Sequence, residues 1–92
     1  MSVVDLKPTG REPDWVAEIS RDEVDGSECW WSRTHTVCDA EARLCRSMIL
    51  TRDGLTIGGP DTIFIGGYEF QISEARDVAA MLLDLCDQSE SS

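Results

Sequence analysis

Positive charge is scarce in this chain. Eight Lys and Arg, with Lys7 the single lysine, stand against 18 Asp and Glu, for a net charge of −10. Such a field repels phosphate backbones and anionic lipid headgroups, so direct nucleic-acid binding and membrane-surface binding are excluded as leading functions. Long apolar runs are missing too. No stretch approaches the roughly 20 residues of a membrane span, and "MSVVDLKPTG" lacks a basic stretch followed by an apolar one. The expected location is therefore the cytoplasm, where Cys29, Cys38, Cys45 and Cys86 are thiols or ligands rather than a disulfide framework. Catalytic motifs are equally absent: His35 is the only histidine, and no G-x-S-x-G elbow accompanies it. The glycine pairs Gly58-Gly59 and Gly66-Gly67 have neither G-x-G-x-x-G spacing nor a following Lys-Ser/Thr, and read as turns rather than phosphate cradles. The chain reads as a non-enzyme without a cofactor.

What is present suffices for one small domain. Hydrophobic content is 41% of 92 residues, enough to fold but with room for a single core. Residues 1–12 and 88–92 lack periodicity and are expected to be flexible tails, leaving 13–87 as the domain. A core of that size supplies modest stability, so a metal, a partner protein or a second copy forming a homodimer would each help.

The element pattern predicts α+β. "DWVAEIS" alternates as a strand, and Asp25-Gly26 suits a tight turn into the β-forming run Cys29 to Val37. "CDAEARLC" fits a short helical segment or a turn entering a strand, and "LCRSMILTR" continues extended into Asp53-Gly54. "TIFI", Gly66-Gly67 and "YEFQI" form the clearest hairpin. Ser73 is a good N-cap for a helix over about 74–87, whose apolar positions Ala75, Val78, Ala79, Leu82, Leu85 and Cys86 form one face. Together these predict a four- to six-stranded antiparallel sheet with the C-terminal helix packed on one face.

The chemistry-bearing residues concentrate in "ECWWSRTHTVCDAEARLC". Cys29, His35, Cys38 and Cys45 are all zinc-ligand types, which makes a small zinc-binding module the alternative reading. No CxxC pair supports it, and six extended residues separate Cys29 from His35 by roughly 20 Å. The aromatic content offers the stronger lead. Adjacent strand residues point to opposite faces, so Trp30 and Trp31 cannot enter one core, and an exposed tryptophan with a polar rim is a typical interface anchor. Regular alternation would put Ser32, Thr34 and Thr36 with Trp30, and Cys29, Arg33, His35 and Val37 with Trp31. Just before the tryptophans lies an acidic segment, in which Asp22, Glu23, Asp25 and Glu28 are candidate contacts for a basic or nucleic-acid-binding protein partner. Mimicry of nucleic-acid charge is a variant of the same idea.

"ISEARDVAAMLLDLCDQ" and the Cys/Trp/His segment ahead of a β-meander resemble small actinobacterial and actinophage domains of unknown function. The resemblance implies an α+β fold and no particular activity. Its implied source is a high-GC actinobacterium or its phage, where a short acidic protein would bind and modulate a host protein.

Overall fold

A computed structural model describes residues 3–91. Its spine is β5 (Ala40–Thr51), 12 residues whose apolar and polar side chains alternate from Ala40 to Leu44 and then give way to the apolar run Met48-Ile49-Leu50. Before it come β1 (Val3–Leu6), β2 (Glu18–Asp22), β3 (Glu28–Trp31) and β4 (His35–Val37). After it come β6 (Gly54–Ile57), β7 (Thr62–Ile65), β8 (Tyr68–Gln71) and α1 (Ile72–Glu90). Every pairing is antiparallel. Both β3 and β4 lie along one edge of β5, and β6 and β7 lie along the other. The fold is the expected α+β class. Its sheet has eight strands where four to six were expected, because two of its six lanes are each interrupted once.

One interruption reverses a face assignment. The β3–β5 register sets Trp31 opposite Cys45, whereas β4–β5 sets His35 opposite Ala42, so one extra residue is absorbed between them. A single-residue bulge exchanges the two faces. Ser32 makes the break tolerable: its N–H donates to the Leu44 carbonyl at 2.9 Å, and its hydroxyl accepts the Leu44 N–H at 2.8 Å. His35 and Val37 therefore share a face with Trp30, and Thr36 shares one with Trp31. That inverts the assignment from unbroken alternation. The second interruption, Gly58 to Asp61, adds two residues and leaves the parity of β6 and β7 unchanged.

Residues directly opposite in an antiparallel pair project to the same side, so the registers define two faces. The first carries Leu6, Ile19, Trp30, Leu44, Met48, Leu50, Leu55, Ile57, Ile63 and Phe70, and is the apolar face. The second carries Ser20, Cys29, Arg43, Cys45, Ser47, Thr56, Thr62 and Glu69 together with Val3, Trp31, Ile49 and Phe64, and is the more polar face. The core is thin: Val16, Ile19, Cys45 and Met48 are the buried hydrophobic residues among those described.

The ambiguous "CDAEARLC" is a hairpin. Val37 faces Ala40 across a two-residue turn, with Cys38 at φ 49° and Asp39 at φ 67°. Both central residues of this turn type need positive φ, which costs a side-chain-bearing residue about 1 kcal/mol or more. Cys38→Asn combined with Asp39→Gly is expected to stabilise the protein by about 1 kcal/mol, raising the Tm by roughly 4–8 °C. Thermal denaturation followed by circular dichroism reads this directly. A lower Tm would show that one of the two native side chains contributes something the turn geometry does not reveal.

The ends depart from expectation. Val3–Leu6, expected within a flexible tail, is a strand, because Val4 and Leu6 land on the apolar face opposite Arg21 and Ile19. Residues 1, 2 and 92 lie outside the described part. The first strand expected from "DWVAEIS" begins only at Glu18, Trp15 lying in a turn. The helix starts before Ser73: Gln71 is the N-cap, and its N–H donates to the Glu74 carboxylate at 2.8 Å, as a capping box requires. At the far end α1 runs through Glu90, past the expected boundary. It packs against β7 and β8, and Ile72, Ala75 and Val78 are its half-buried residues. From Ala79 to Glu90 every residue is exposed, so the apolar stripe foreseen for burial stays uncovered over most of its length.

Candidate functional site

The apolar face is the most distinctive surface of the molecule, and its centre is built around Trp30. Flanking strands place Ile19 on one side of Trp30 and Arg46 on the other. Its indole N–H donates to Glu28 Oε1 at 2.9 Å. The other oxygen of Glu28 receives both Nε and an Nη of Arg21, at 2.9 and 2.7 Å. Glu28 is only 5% exposed, so this carboxylate is an internal ion pair rather than a docking acid. A buried carboxylate needs such satisfaction on both oxygens. Trp30 is half-buried, the floor of the surface and not a projecting anchor.

Beside this node, Leu6, Ile19, Met48 and Leu55 complete the floor of an open depression of about 350 Å³, with Lys7, Arg11 and Arg21 on its wall. Leu50 and Ile57, at the Met48–Leu50 end of β5, are 56% and 59% exposed, and Val37 and Tyr68, more exposed still, form a second patch on the same face at the Ala40–Ala42 end. Leu50, Leu55 and Ile57 were not singled out in the sequence. Their signal was the alternation Met48, Leu50 and Leu55, Ile57 on either side of Asp53-Gly54.

A second ion pair shapes the same face near β7. Both guanidinium nitrogens of Arg46 donate to Asp61 at 2.8 Å, and the Trp15 ring lies 5.3 Å from the guanidinium carbon. These hydrogen bonds hold the Asp61 carboxyl below the usual carboxylate range and push Arg46 upward. Trp15, His35, Ala42, Leu44 and Ile63 border a shallow, almost wholly apolar hollow beside it.

On the opposite face Trp31 is also half-buried. Arg43 stands 4.6 Å from its ring and pairs with Glu18 at 2.9 Å, while the Phe64 ring lies tilted against it, the centroids 5.2 Å apart. Trp30 and Trp31 thus occupy opposite faces, each supported by an arginine. The other acids of the candidate set lie around the β2–β3 turn. Asp22 Oδ1 accepts the Val24 N–H, and Asp25 Oδ1 accepts the Ser27 N–H, both at 2.8 Å. Hydrogen bonding by Ser27 lowers the Asp25 pKa. Glu23 stands exposed between them, so three carboxylates project around one turn at the rim of the apolar face.

The four residues of the zinc alternative do not converge. Cys29 and Cys45 sit on the polar face, His35 on the apolar face, and Cys38 at the tip of the β4–β5 turn. The bulge at Ser32 separates them, and among the described residues no group of three or more His, Cys, Asp or Glu could hold a metal ion. Cys45 is buried beside Cys29. Burial first, then the neighbouring thiol, pushes its pKa to about 12, so it is protonated and unreactive at neutral pH. Among the described residues no helix is long and apolar enough to cross a membrane.

Comparison with known proteins finds no family model, no curated protein and no solved structure that matches this chain. Function must be argued from the surface itself.

Proposed function

We propose that this chain is a non-enzymatic interaction protein whose apolar sheet face docks another polypeptide, with the acidic β2–β3 turn available to a basic partner. The observation that supports this reading is the imbalance between core and surface. Four apolar side chains are buried, while Val37, Leu50, Leu55, Ile57 and Tyr68 lie uncovered on one face. Exposed apolar patches of that kind mark binding sites. The Arg46–Asp61 pair lies between the two patches, and Arg21 and the turn carboxylates stand beside the one around Leu50, supplying the polar groups typical of such sites.

The charge of −10 favours a basic partner, and a host protein that itself binds nucleic acid fits that description. Mimicry of nucleic-acid charge has less support, because the acids that could be displayed are divided. Glu28 and Asp61 are committed to part-buried ion pairs and Glu18 to an exposed one, which leaves Glu23 and the turn carboxylates Asp22 and Asp25, each holding the turn through Oδ1, as a small acidic group rather than an extended one.

Immobilised full-length protein, an Ile57→Glu variant and a Thr56→Glu variant test this with an actinobacterial lysate. A specifically captured protein should be retained by Thr56→Glu, on the polar face, and lost at least about tenfold by Ile57→Glu, on the apolar face. Equal capture by all three would overturn the assignment of the docking face.

A further inference from the structure

We infer that the occupant of the apolar face is a second copy of this chain, the α1 helix of each protomer covering the sheet of the other. This rests on the reading of that face as a docking surface and names the occupant of the apolar face, the acidic β2–β3 turn remaining available to a basic partner. The first support is an unfinished layer. The sheet presents an uncovered apolar face, and the same chain carries an uncovered apolar helix stripe, with Leu82 and Leu85 each 54% exposed. Helix on sheet is the ordinary way both surfaces are buried.

The chain's own helix packs against β7 and β8 and does not reach the centre of its own sheet. β8 ends at Gln71 and α1 begins at Ile72, without a connecting residue. The capping hydrogen bond from Gln71 to Glu74 fixes the direction of departure. A helix that must cover its own sheet needs a loop of a few residues to reverse direction. Another molecule meets no such constraint.

Area gives the second support. A compact monomer of this mass exposes about 5,300 Å², but this one exposes 7114 Å². Its radius of gyration is 16.5 Å, with a longest extent of 58 Å, against about 12 Å for a compact 92-residue domain. The excess area is about 1,800 Å² per chain. If two copies each buried that much, the total of about 3,600 Å² would fall in the range of obligate homodimers.

Charge supplies the third. The last two turns of α1 carry Asp84, Asp87 and Glu90, and no base lies in the last turn. The depression on the apolar face is lined by Lys7, Arg11 and the Arg21–Glu28 pair, with Glu12 beside them, so Lys7 and Arg11 carry its positive charge. A helix of 19 residues is about 29 Å long, enough to lie along most of β5, whose 12 residues extend roughly 40 Å. Leu82 and Leu85 then meet Leu55 and Ile57, while the helix acids reach the basic wall. Two such contacts related by a twofold axis make a closed, isologous dimer.

Sedimentation velocity on the full chain, with circular dichroism to check folding, provides the test. The wild type should sediment at about twice 10.2 kDa. Leu82→Glu/Leu85→Glu on the helix, and Leu55→Glu/Ile57→Glu on the sheet, should each weaken the dimer at least about 100-fold. Mixing the two variants leaves one helix-on-sheet contact intact, so a mixed dimer should form where neither variant dimerises alone. Should a double variant fail to fold, Arg11→Glu and Asp87→Arg are the alternative pair. Each should weaken self-association, and their mixture should recover it. A wild type that stays monomeric at about 100 µM overturns the inference, as does a dimer that survives the sheet substitutions, which would indicate helix-on-helix contact. A monomer that still captures a foreign protein through Ile57 would sink the inference alone. A monomer whose capture ignores Ile57→Glu would sink the docking face as well.

Discussion

Ile19→Ala is expected to remove about 3 kcal/mol of stability and to lower the Tm by more than about 12 °C. Ile19 is 3% exposed, the most deeply buried of the four core residues, and it stands opposite both Leu6 and Trp30. Truncation removes three carbons from the point where β1, β2 and β3 are held together. The cavity opens beneath Trp30, whose position is already set by the Glu28 hydrogen bond, so the surroundings cannot collapse freely. Small domains have only about 3–5 kcal/mol to lose. Urea titration followed by tryptophan fluorescence measures the change. A loss below about 1 kcal/mol would mean that the apolar face near β1 is not the centre of the core. Protein concentration must be held constant, since self-association of the kind inferred above would make the midpoint concentration-dependent.

Arg21→Ala should have the next largest effect, about 2 kcal/mol, although the side chain it removes is nearly half exposed. The cost arises at its partner. Without the guanidinium, the Glu28 carboxylate stays buried with one oxygen served by the Trp30 N–H and the other by nothing equally strong. Breaking a fully buried pair costs about 3–5 kcal/mol; water reaching the Arg21 side reduces that here. Adding Glu28→Gln to Arg21→Ala removes the stranded charge while keeping an acceptor for Trp30, and should recover at least about 1 kcal/mol. Paired thermal melts of the single and double variants decide the matter. If the double variant is less stable than the single one, the carboxylate was not the source of the penalty.

These two residues also show how far the site could be read in advance. Glu28 looked like one acid among seven in the segment from Glu12, and nothing local marked it as buried. Its burial follows from register: β2 and β3 place Arg21 directly opposite it. Trp30 and Trp31 were correctly separated onto two faces, because alternation within a short unbroken strand is a local property. Their neighbours beyond Ser32 were assigned to the wrong sides, because one bulge residue inverts everything after it. Leu50, Leu55 and Ile57 were legible as strand residues but not as surface ones. Exposure depends on how much lies above them: the β2–β3 turn at Gly26 borders Leu50 and the segment from Lys7 to Glu12 borders the depression at Leu55, yet all three side chains stay exposed.

Local chemistry alone determined several elements of this protein. Gly66-Gly67 between two alternating runs makes a hairpin because positive φ is available at little cost there; Gly66 adopts φ 59°. The 3.6-residue spacing from Ala75 onward makes a helix for equally local reasons. Tertiary structure alone decided that "CDAEARLC" is a hairpin with two non-glycine residues at positive φ, since pairing of Ala42 with His35 and with Ile65 holds it extended. It also decided the fate of the helix stripe. Periodicity says that an apolar face will seek cover, but a helix that leaves β8 without a linker does not find that cover over the centre of its own sheet.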